Sequence, residues 1–208
     1  MRDLPVLLDR LEQAGGPADP VPSSDGWELV LAENVAHLVD DQRRWHALAD
    51  LRQVVGLEPE QILTAPQAVL RGVVAGARPA ERVQRLRRCA ELAIAGAPWR
   101  AYPGIGQPGQ DRIDLFTASR AVLALDANGL RVLTRLGYAD PARSYSVAYR
   151  QAQAAASARI PAEVPALQRA CQLLRRHGQA VCRRKDPACP SCAVAGDCPS
   201  AGHPPPLY

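Results

Sequence analysis

The sequence predicts an all-α protein, and three observations support this prediction. Apolar residues make up 47% of the 208 residues, which is enough for a buried core, whereas aromatic residues make up only 4%. Ala, Leu, Arg, Glu and Gln, which favour helices, dominate the composition. Apolar residues recur at helical spacing, and no segment alternates like a half-buried strand. We therefore expect about nine or ten helices.

Amphipathic segments separated by turn-forming residues give the order of these helices. Residues 14–26 form a loop rich in Gly, Pro and Ser, and Ala65-Pro66 interrupts the fourth segment. The predicted helices span residues 3–13, 27–39, 41–55, 58–74 in one or two pieces, 79–95, 110–124, 128–137, 141–157 and 162–176.

The charge and the length of the apolar runs exclude several classes of protein. The net charge of +4 gives a weak preference for polyanions, and Lys185 is the single lysine among the 25 basic residues. A Schiff-base mechanism therefore has one candidate nucleophile. No apolar run reaches the ~18–20 residues that span a bilayer, and residues 1–13 do not resemble a secretory signal. We expect a cytoplasmic protein with no membrane partner.

Four of the six cysteines lie together near the C-terminus in the spacing C-x6-C-x2-C-x5-C. They are Cys182, Cys189, Cys192 and Cys198. Because cytoplasmic thiols stay reduced, this pattern favours a metal site over two disulfides. Zinc and a [4Fe–4S] cluster both accept four thiolates, and the compact single run suits one cubane cluster better. Cys89 and Cys171 lie on apolar helical faces and are predicted to be core residues.

The residues Tyr-Pro-Gly-Ile-Gly at 102–106 predict a tight turn between two helices. Gly104 and Gly106 place no Cβ in the way of the turn, and Ile105 is expected to anchor it in the core. The backbone N–H groups of the turn and of the helix that starts near Gln107 would point outwards together, which favours a phosphate oxygen. This pattern is a weak signal by itself, because many helix–helix turns share it.

The turn, an aspartate and the cysteine loop follow one another in an order that resembles the endonuclease III superfamily of DNA glycosylases. In that family a helix-hairpin-helix of the form LPGVG grips the DNA backbone, a later Asp performs the chemistry, and a C-x6-C-x2-C-x5-C loop binds a [4Fe–4S] cluster. YPGIG, Asp126 and the four cysteines match these features in residue type and spacing. The resemblance covers residues 25–200.

This resemblance implies two helical subdomains and a C-terminal [4Fe–4S] cluster loop. The first subdomain is expected at residues 25–118, with the helix-hairpin-helix near 86–116. The second is expected to combine residues 1–24 with 119–208, and to carry Asp126 and the cluster loop at 182–198. The resemblance also implies double-stranded DNA as the partner, a monomeric state and a nucleoid-associated location.

Finer motifs resemble the MutY-type adenine glycosylases and the archaeal mismatch-specific thymine glycosylases. LDANGLRVLTR matches their catalytic segment, with Asn128 where endonuclease III usually has His, and WELVLAENVAHLV matches the helix whose carboxylate corresponds to Glu33. The resemblance implies that Asp126 stabilises positive charge on the sugar or activates water, that Asn128 orients it, and that Glu33 protonates the leaving base. The alternatives are a helix N-cap for Asp126, a polar helix start for Asn128 and an Arg-paired Glu33.

Several residues are candidates for contact with DNA. His37 is predicted to line the base pocket or wedge into the duplex, with a surface histidine as the alternative. An Arg stripe at 82, 85 and 88 is either a solvated face or a phosphate contact. The remaining candidates are the turn residues Gly104, Ile105, Gly106 and Gln107 and the loop residues Arg183 and Arg184, beside Lys185.

Three departures from the family pattern narrow the predicted function. Bifunctional members carry a Lys two residues after the second hairpin Gly, where this chain has Pro108. Leu38 stands where relatives often have the Gln that fills the gap left by the flipped base. Because few residues follow the cysteine loop, we do not expect the domain that adenine glycosylases use to recognise 8-oxoguanine.

We therefore expect a monofunctional DNA glycosylase for a mismatched or damaged base, such as U or T opposite G. The alternatives are a glycosylase for an unusual modified base, a non-catalytic iron–sulfur DNA-binding protein and, more weakly, a zinc protein.

Overall fold

The computed structural model describes residues 3–140 and 144–203, and this part of the chain is all-α, which confirms the predicted fold class. The described residues form ten α-helices and two strands of two residues each. The helices are α1 (Leu4–Gly15), α2 (Gly26–Val35), α3 (Asp41–Val54), α4 (Pro59–Thr64), α5 (Gln67–Val73), α6 (Pro79–Ile94), α7 (Gln107–Phe116), α8 (Ala127–Arg135), α9 (Tyr145–Ser157) and α10 (Val164–Ala180).

Aspartates define where several of these helices begin. Asp25 accepts a hydrogen bond from the backbone N–H of Trp27 at 2.8 Å, and Asp40 accepts one from Arg43 at 2.7 Å. Each carboxylate satisfies an N–H group that has no partner within its own helix. Asp126 caps α8 in the same way.

Two predicted helices extend further in the sequence than in the structure. The segment predicted at 27–39 is helical only to Val35, because β1 (Ala36–His37) is extended and pairs in parallel with β2 (Ala75–Gly76). The absence of strands was therefore a wrong prediction at these four residues, since strands this short show no alternating pattern. The helix predicted at 110–124 ends at Phe116, and Ala118 has a left-handed φ of 58°.

One compact unit spans Ser23–Ile113. Its core is formed by α2 to α6, and Cys89 is fully buried in this unit, as expected. The apolar side chains at the centre of this core are Leu31, Val35, Leu48, Leu51, Ile62, Leu70, Val83 and Leu86.

The other compact unit combines Met1–Pro22 with Asp114–Tyr208. The sequence placed these boundaries a few residues later, between 24 and 25 and between 118 and 119. Helices α8 and α10 pack against each other, α1 packs on α10, and α9 packs on α8. Cys171 is buried here, as expected. The predicted start of α9 at 141 lies outside the described residues.

Among the helices in residues 3–140 and 144–203, none combines the length and the hydropathy that a membrane span requires.

Candidate functional sites

The Gly-rich turn at 102–106 lies in the unit that spans Ser23–Ile113. Gly104 has φ 78°, a conformation that strains any residue with a Cβ, and the backbone N–H of Ile105 donates to the Tyr102 carbonyl at 3.1 Å. Ile105 is buried, as predicted, whereas Gly104 and Gly106 are exposed together with Gln107. The buried side chain thus anchors a turn whose two glycines face solvent.

Asn34 supports this turn, and the sequence reasoning did not assign it a role. Its Nδ2 donates to the carbonyls of Val30 and Pro103, both at 3.0 Å, so the fully buried amide ties α2 to the turn. Its Oδ1 is buried without a hydrogen-bond partner in the described residues. A Cβ on Gly104 would lie 3.7 Å from this oxygen. The sequence signal for this role was that Asn34 is a polar residue, next to Glu33, in an otherwise apolar helix.

Glu33 is held by two guanidinium groups of its own unit. Arg44 Nη1 lies 3.2 Å from Oε2, and Arg112 Nη1 lies 2.6 Å from Oε1. The Glu33 side chain is 33% exposed, and each arginine side chain is 16% exposed. Each carboxylate oxygen therefore contacts a guanidinium group. This arrangement accounts for Glu33 through ion pairing, the alternative that the sequence left open, and its catalytic role stays a prediction.

The chain leaves the helix after Val35, and Leu38 follows directly after β1. Leu38 is 81% exposed and has a left-handed φ of 56°, which is unusual for a large apolar residue. His37 is partly buried, and its carbonyl accepts a hydrogen bond from the backbone N–H of Ala77 at 3.1 Å. Pairing of β1 with β2 therefore presents an apolar side chain on a short loop. The predicted contact of His37 with DNA stays a prediction.

Asp126 lies at the N-terminus of α8, in the other unit. Its Oδ1 accepts a hydrogen bond from the backbone N–H of Gly129 at 2.7 Å, and its Oδ2 accepts one from Asn128 Nδ2 at 2.9 Å. Oδ2 also forms an ion pair with Nη1 of Arg175, a residue of α10. From the sequence, Arg175 was assigned no role at this site. The N-cap interpretation of Asp126 is thus correct, and it leaves a catalytic role open because the side chain is 22% exposed.

Asn128 connects Asp126 to the start of the cysteine loop. Its Oδ1 accepts a hydrogen bond from Arg131 Nη2 at 2.8 Å, so its Nδ2 is directed at Asp126. Arg131 is buried, and it also donates from Nε to the Cys182 carbonyl at 2.8 Å and from Nη2 to the Gly178 carbonyl at 2.7 Å. Burial lowers the pKa of Arg131, and these carbonyl and amide acceptors satisfy its guanidinium.

Close packing of α10 on α8 makes this network possible. A Cβ on Gly178 would lie 2.7 Å from the Asn128 carbonyl oxygen and 2.8 Å from the Asn128 Cβ. Only glycine allows the two helices to approach this closely. Gly178 therefore sets the position of Asn128, and Asn128 in turn holds Asp126.

The four clustered cysteines line one pocket. His177 also lines it, with Nε2 3.6 Å from Cys192 Sγ, and burial lowers the pKa of His177 to about 4. Burial raises the pKa of the Cys192 and Cys198 thiols. Within residues 3–140 and 144–203, no group of three or more His, Cys, Asp or Glu side chains converges closely enough to hold a metal ion.

Arg135 contributes a positive charge to the same pocket. Its Nη1 lies 3.4 Å from Cys182 Sγ and donates to the Arg183 carbonyl at 2.7 Å. The Arg135 side chain is buried, so this charge is poorly screened by solvent.

The other predicted DNA contacts differ in their surroundings. Arg183 and Arg184 are exposed, and Arg183 Nη2 donates to the Asp186 carbonyl within the loop at 2.8 Å. The Arg stripe of α6 is neither fully solvated nor continuous, because Arg82 is buried. In that stripe, Arg85 pairs with Glu81 at 2.7 Å and Arg88 pairs with Glu91 at 2.8 Å. The contacts of these arginines with DNA stay predictions.

Comparisons with known proteins identify the fold. No protein-family model and no curated protein matches the chain by sequence. A non-covalent endonuclease III–DNA complex matches it with a TM-score of 0.76 and 17% identity, covering 95% of this chain and 94% of that chain. A thermostable thymine-DNA glycosylase matches with a TM-score of 0.70 and 15% identity, covering 94% of each chain.

A DNA-3-methyladenine glycosidase from Bacillus halodurans also matches, with a TM-score of 0.52 and 16% identity over 84% of this chain and 83% of that chain. At such identities the similarity concerns the fold. The chain has the all-α fold of these glycosylases, which confirms the motif-based resemblance at that level.

Proposed function

We propose that this protein is a monofunctional DNA N-glycosylase, which flips a mismatched or damaged base out of a duplex and hydrolyses its glycosidic bond. The observation that carries the proposal is Asp126. It is a partly exposed carboxylate, oriented by Gly129 and Asn128 in a fold similar to that of solved DNA glycosylases. Substrates such as U or T opposite G remain our first candidates.

Cleavage of an N-glycosidic bond builds positive charge on the sugar. A fixed carboxylate near C1′ stabilises that charge, or accepts a proton from the water that attacks C1′. The backbone hydrogen bond to Oδ1 and the amide hydrogen bond to Oδ2 hold the Asp126 side chain in one orientation. The carboxylate therefore needs little rearrangement when the charge develops.

The residues around the turn support hydrolysis without an amine nucleophile. Pro108 occupies the position at which bifunctional relatives carry the Schiff-base Lys, and the single lysine, Lys185, lies in the cysteine loop. A proline has no nucleophilic side chain. Water is then the acceptor of the sugar, and the DNA strand stays intact after the base has left.

Base extrusion requires side chains that replace the lost stacking. Flipping costs a few kcal/mol, and apolar wedges such as Leu stabilise distorted base steps. The side chain of Leu38 is largely exposed to solvent, and the residue lies on the short loop after β1. We propose Leu38 as such a wedge, with His37 beside it.

We propose that the turn glycines and the cysteine loop contact the phosphate backbone of DNA. Exposed N–H groups at Gly104, Gly106 and the start of α7 suit phosphate oxygens, and Arg183 and Arg184 add positive charge. We propose Glu33 as an auxiliary acid, and its two ion pairs make this role weaker than that of Asp126.

The spacing of the four cysteines supports a [4Fe–4S] cluster in the cysteine pocket, although their side chains do not converge on a metal position in the described residues. Four thiols line its wall, and the buried guanidinium of Arg135 lies against Cys182 Sγ. We propose that Cys182, Cys189, Cys192 and Cys198 hold the cluster. When bound, the cluster supplies cross-linking of the loop and local charge.

Base release from labelled duplexes tests the proposed function. The panel contains U:G, T:G, A:G, A opposite 8-oxoguanine, hypoxanthine and alkylated purines, and the free base is quantified by chromatography. Release of one base confirms a glycosylase and identifies its substrate. Tight duplex binding without release of any base would favour the non-catalytic DNA-binding alternative.

A further inference from the structure

An ion pair joins the proposed catalytic carboxylate to α10. The Arg175 guanidinium contacts Oδ2 of Asp126, the same oxygen that accepts the hydrogen bond from Asn128. Oδ1, in contrast, accepts the capping hydrogen bond from the backbone N–H of Gly129. The two charged side chains are 18% and 22% exposed, so solvent and ligands reach the pair.

This contact opposes the role proposed for Asp126. A guanidinium in contact with a carboxylate cancels most of the negative potential that the carboxylate offers to a third group. Stabilisation of a positive sugar depends on that potential. The ion-paired Asp126 is therefore masked, and full catalytic strength requires that Arg175 moves to another anion.

DNA supplies such an anion next to the reacting atom. Each sugar is flanked by phosphates, and a phosphate binds a guanidinium through two parallel hydrogen bonds. A nucleotide whose C1′ reaches Asp126 brings a phosphate within the length of an arginine side chain. We propose that Arg175 transfers from Asp126 to a backbone phosphate of the strand that carries the target base, and thereby unmasks Asp126 only on bound DNA. This inference rests on the proposed glycosylase function.

The remaining contacts of Asp126 allow this transfer. The Gly129 N–H and the Asn128 amide hold the carboxylate independently of Arg175, so the departure of the guanidinium leaves its orientation intact. Arg175 thus masks Asp126 in the free protein and binds the DNA backbone in the complex. An ion pair with a purely structural role would instead persist in the complex.

The adjacent residue offers a matched control. Arg176 lies on the same helix with the same charge, but its guanidinium donates to the carbonyls of Gly16 at 2.5 Å and Pro17 at 2.7 Å and lies 3.5 Å from Asp19. Loss of Arg176 removes one positive charge without touching Asp126. The pair Arg175→Met and Arg176→Met therefore separates a specific phosphate contact from bulk charge.

The first arm measures the salt dependence of binding by fluorescence anisotropy, with a duplex that contains a tetrahydrofuran abasic-site analogue. Arg175→Met is expected to reduce the slope of log affinity against log salt by about one, the value for one lost phosphate contact. Arg176→Met is expected to keep the wild-type slope, and so is Arg175→Lys, which retains the charge.

The second arm measures single-turnover base release at saturating enzyme. Arg175→Met is expected to slow base release by less than about tenfold at saturation, because the lost phosphate contact lowers the affinity for DNA more than the rate of the chemical step. An unchanged salt slope combined with a rate loss of about tenfold or more would show that Arg175 orients Asp126 in the complex, and would overturn the inference. An equal slope loss in Arg176→Met would also overturn it, as an effect of bulk charge.

The two arms also separate this inference from the proposed function. If the wild-type protein binds the abasic duplex but releases no base, the glycosylase proposal fails while the salt slope still decides the phosphate contact. Absence of duplex binding overturns both. Circular dichroism and thermal unfolding verify the fold of each variant. Arg175→Gln replaces Arg175→Met should the latter unfold.

Discussion

The two acidic side chains assigned to catalysis, Glu33 and Asp126, are held in different ways. Glu33 lies near the end of α2, and each of its oxygens contacts an arginine. Asp126 lies at the start of α8, where a backbone N–H and an amide orient it and one arginine contacts one oxygen. Glu33 thus bridges two cations, whereas Asp126 is an oriented anion in contact with the guanidinium of Arg175.

Replacement of Asp126 is expected to have the largest effect. Asp126→Asn keeps the side chain's shape and removes its negative charge, so base release should fall by about 10²–10³-fold or more, while affinity for an abasic-site duplex is retained. Single-turnover kinetics measure the rate, and anisotropy measures the affinity. Turnover at the wild-type rate would show that Asp126 is not the catalytic carboxylate.

Loss of the Asn128 amide comes next. Asn128→Ala removes the hydrogen bond to Oδ2 and also removes one acceptor of the Arg131 guanidinium, so base release should fall about tenfold. The same single-turnover assay measures this effect. Asn128→Asp is the matched variant, because it keeps the acceptor for Arg131 and removes the donor to Asp126. A full rate in Asn128→Ala would contradict the orienting role.

Glu33 provides the most direct contrast with Asp126. Glu33→Gln leaves Arg44 and Arg112 without their shared anion, so the free energy of unfolding should fall by roughly 1–3 kcal/mol in urea titrations. Base release at saturation should change by less than about tenfold. A rate loss of about 100-fold with unchanged stability would instead identify Glu33 as the proton donor and would contradict its assignment as an ion-paired structural residue.

The helix contact that supports Asp126 is expected to give the smallest effect. Gly178→Ala forces a Cβ against the Asn128 backbone, so the free energy of unfolding should fall by roughly 1–3 kcal/mol. Gly72→Ala is the matched control, because no atom lies within 4 Å of its added Cβ and alanine favours the helix. Equal stability of the two variants in urea would contradict the close packing.

The sequence predicted the helical class and most helix positions because apolar periodicity and capping residues are local signals. Ile105 and Cys89 were correctly assigned to the core for the same reason. The two-residue strands were missed, since β1 and β2 are too short to show a pattern and pair across residues distant in the sequence.

The candidate site was only partly predictable. Asp126 followed from its motif and its position before a helix, whereas its contact with Arg175 depends on how α8 and α10 pack. Likewise, the arginine partners of Glu33 and the link from Arg131 to Cys182 arise from tertiary packing. The roles of the turn, of His37 and of the cysteine cluster stay predictions.

The central claim is that a carboxylate and water, rather than an amine, break the glycosidic bond. Its most direct test uses the duplex from which the wild-type protein releases a base and splits each reaction into samples with and without hot alkali. We predict strand breaks only after alkali, since hydrolysis leaves an intact abasic strand. Strand breaks without alkali, or a borohydride-trapped protein–DNA adduct, would contradict the claim.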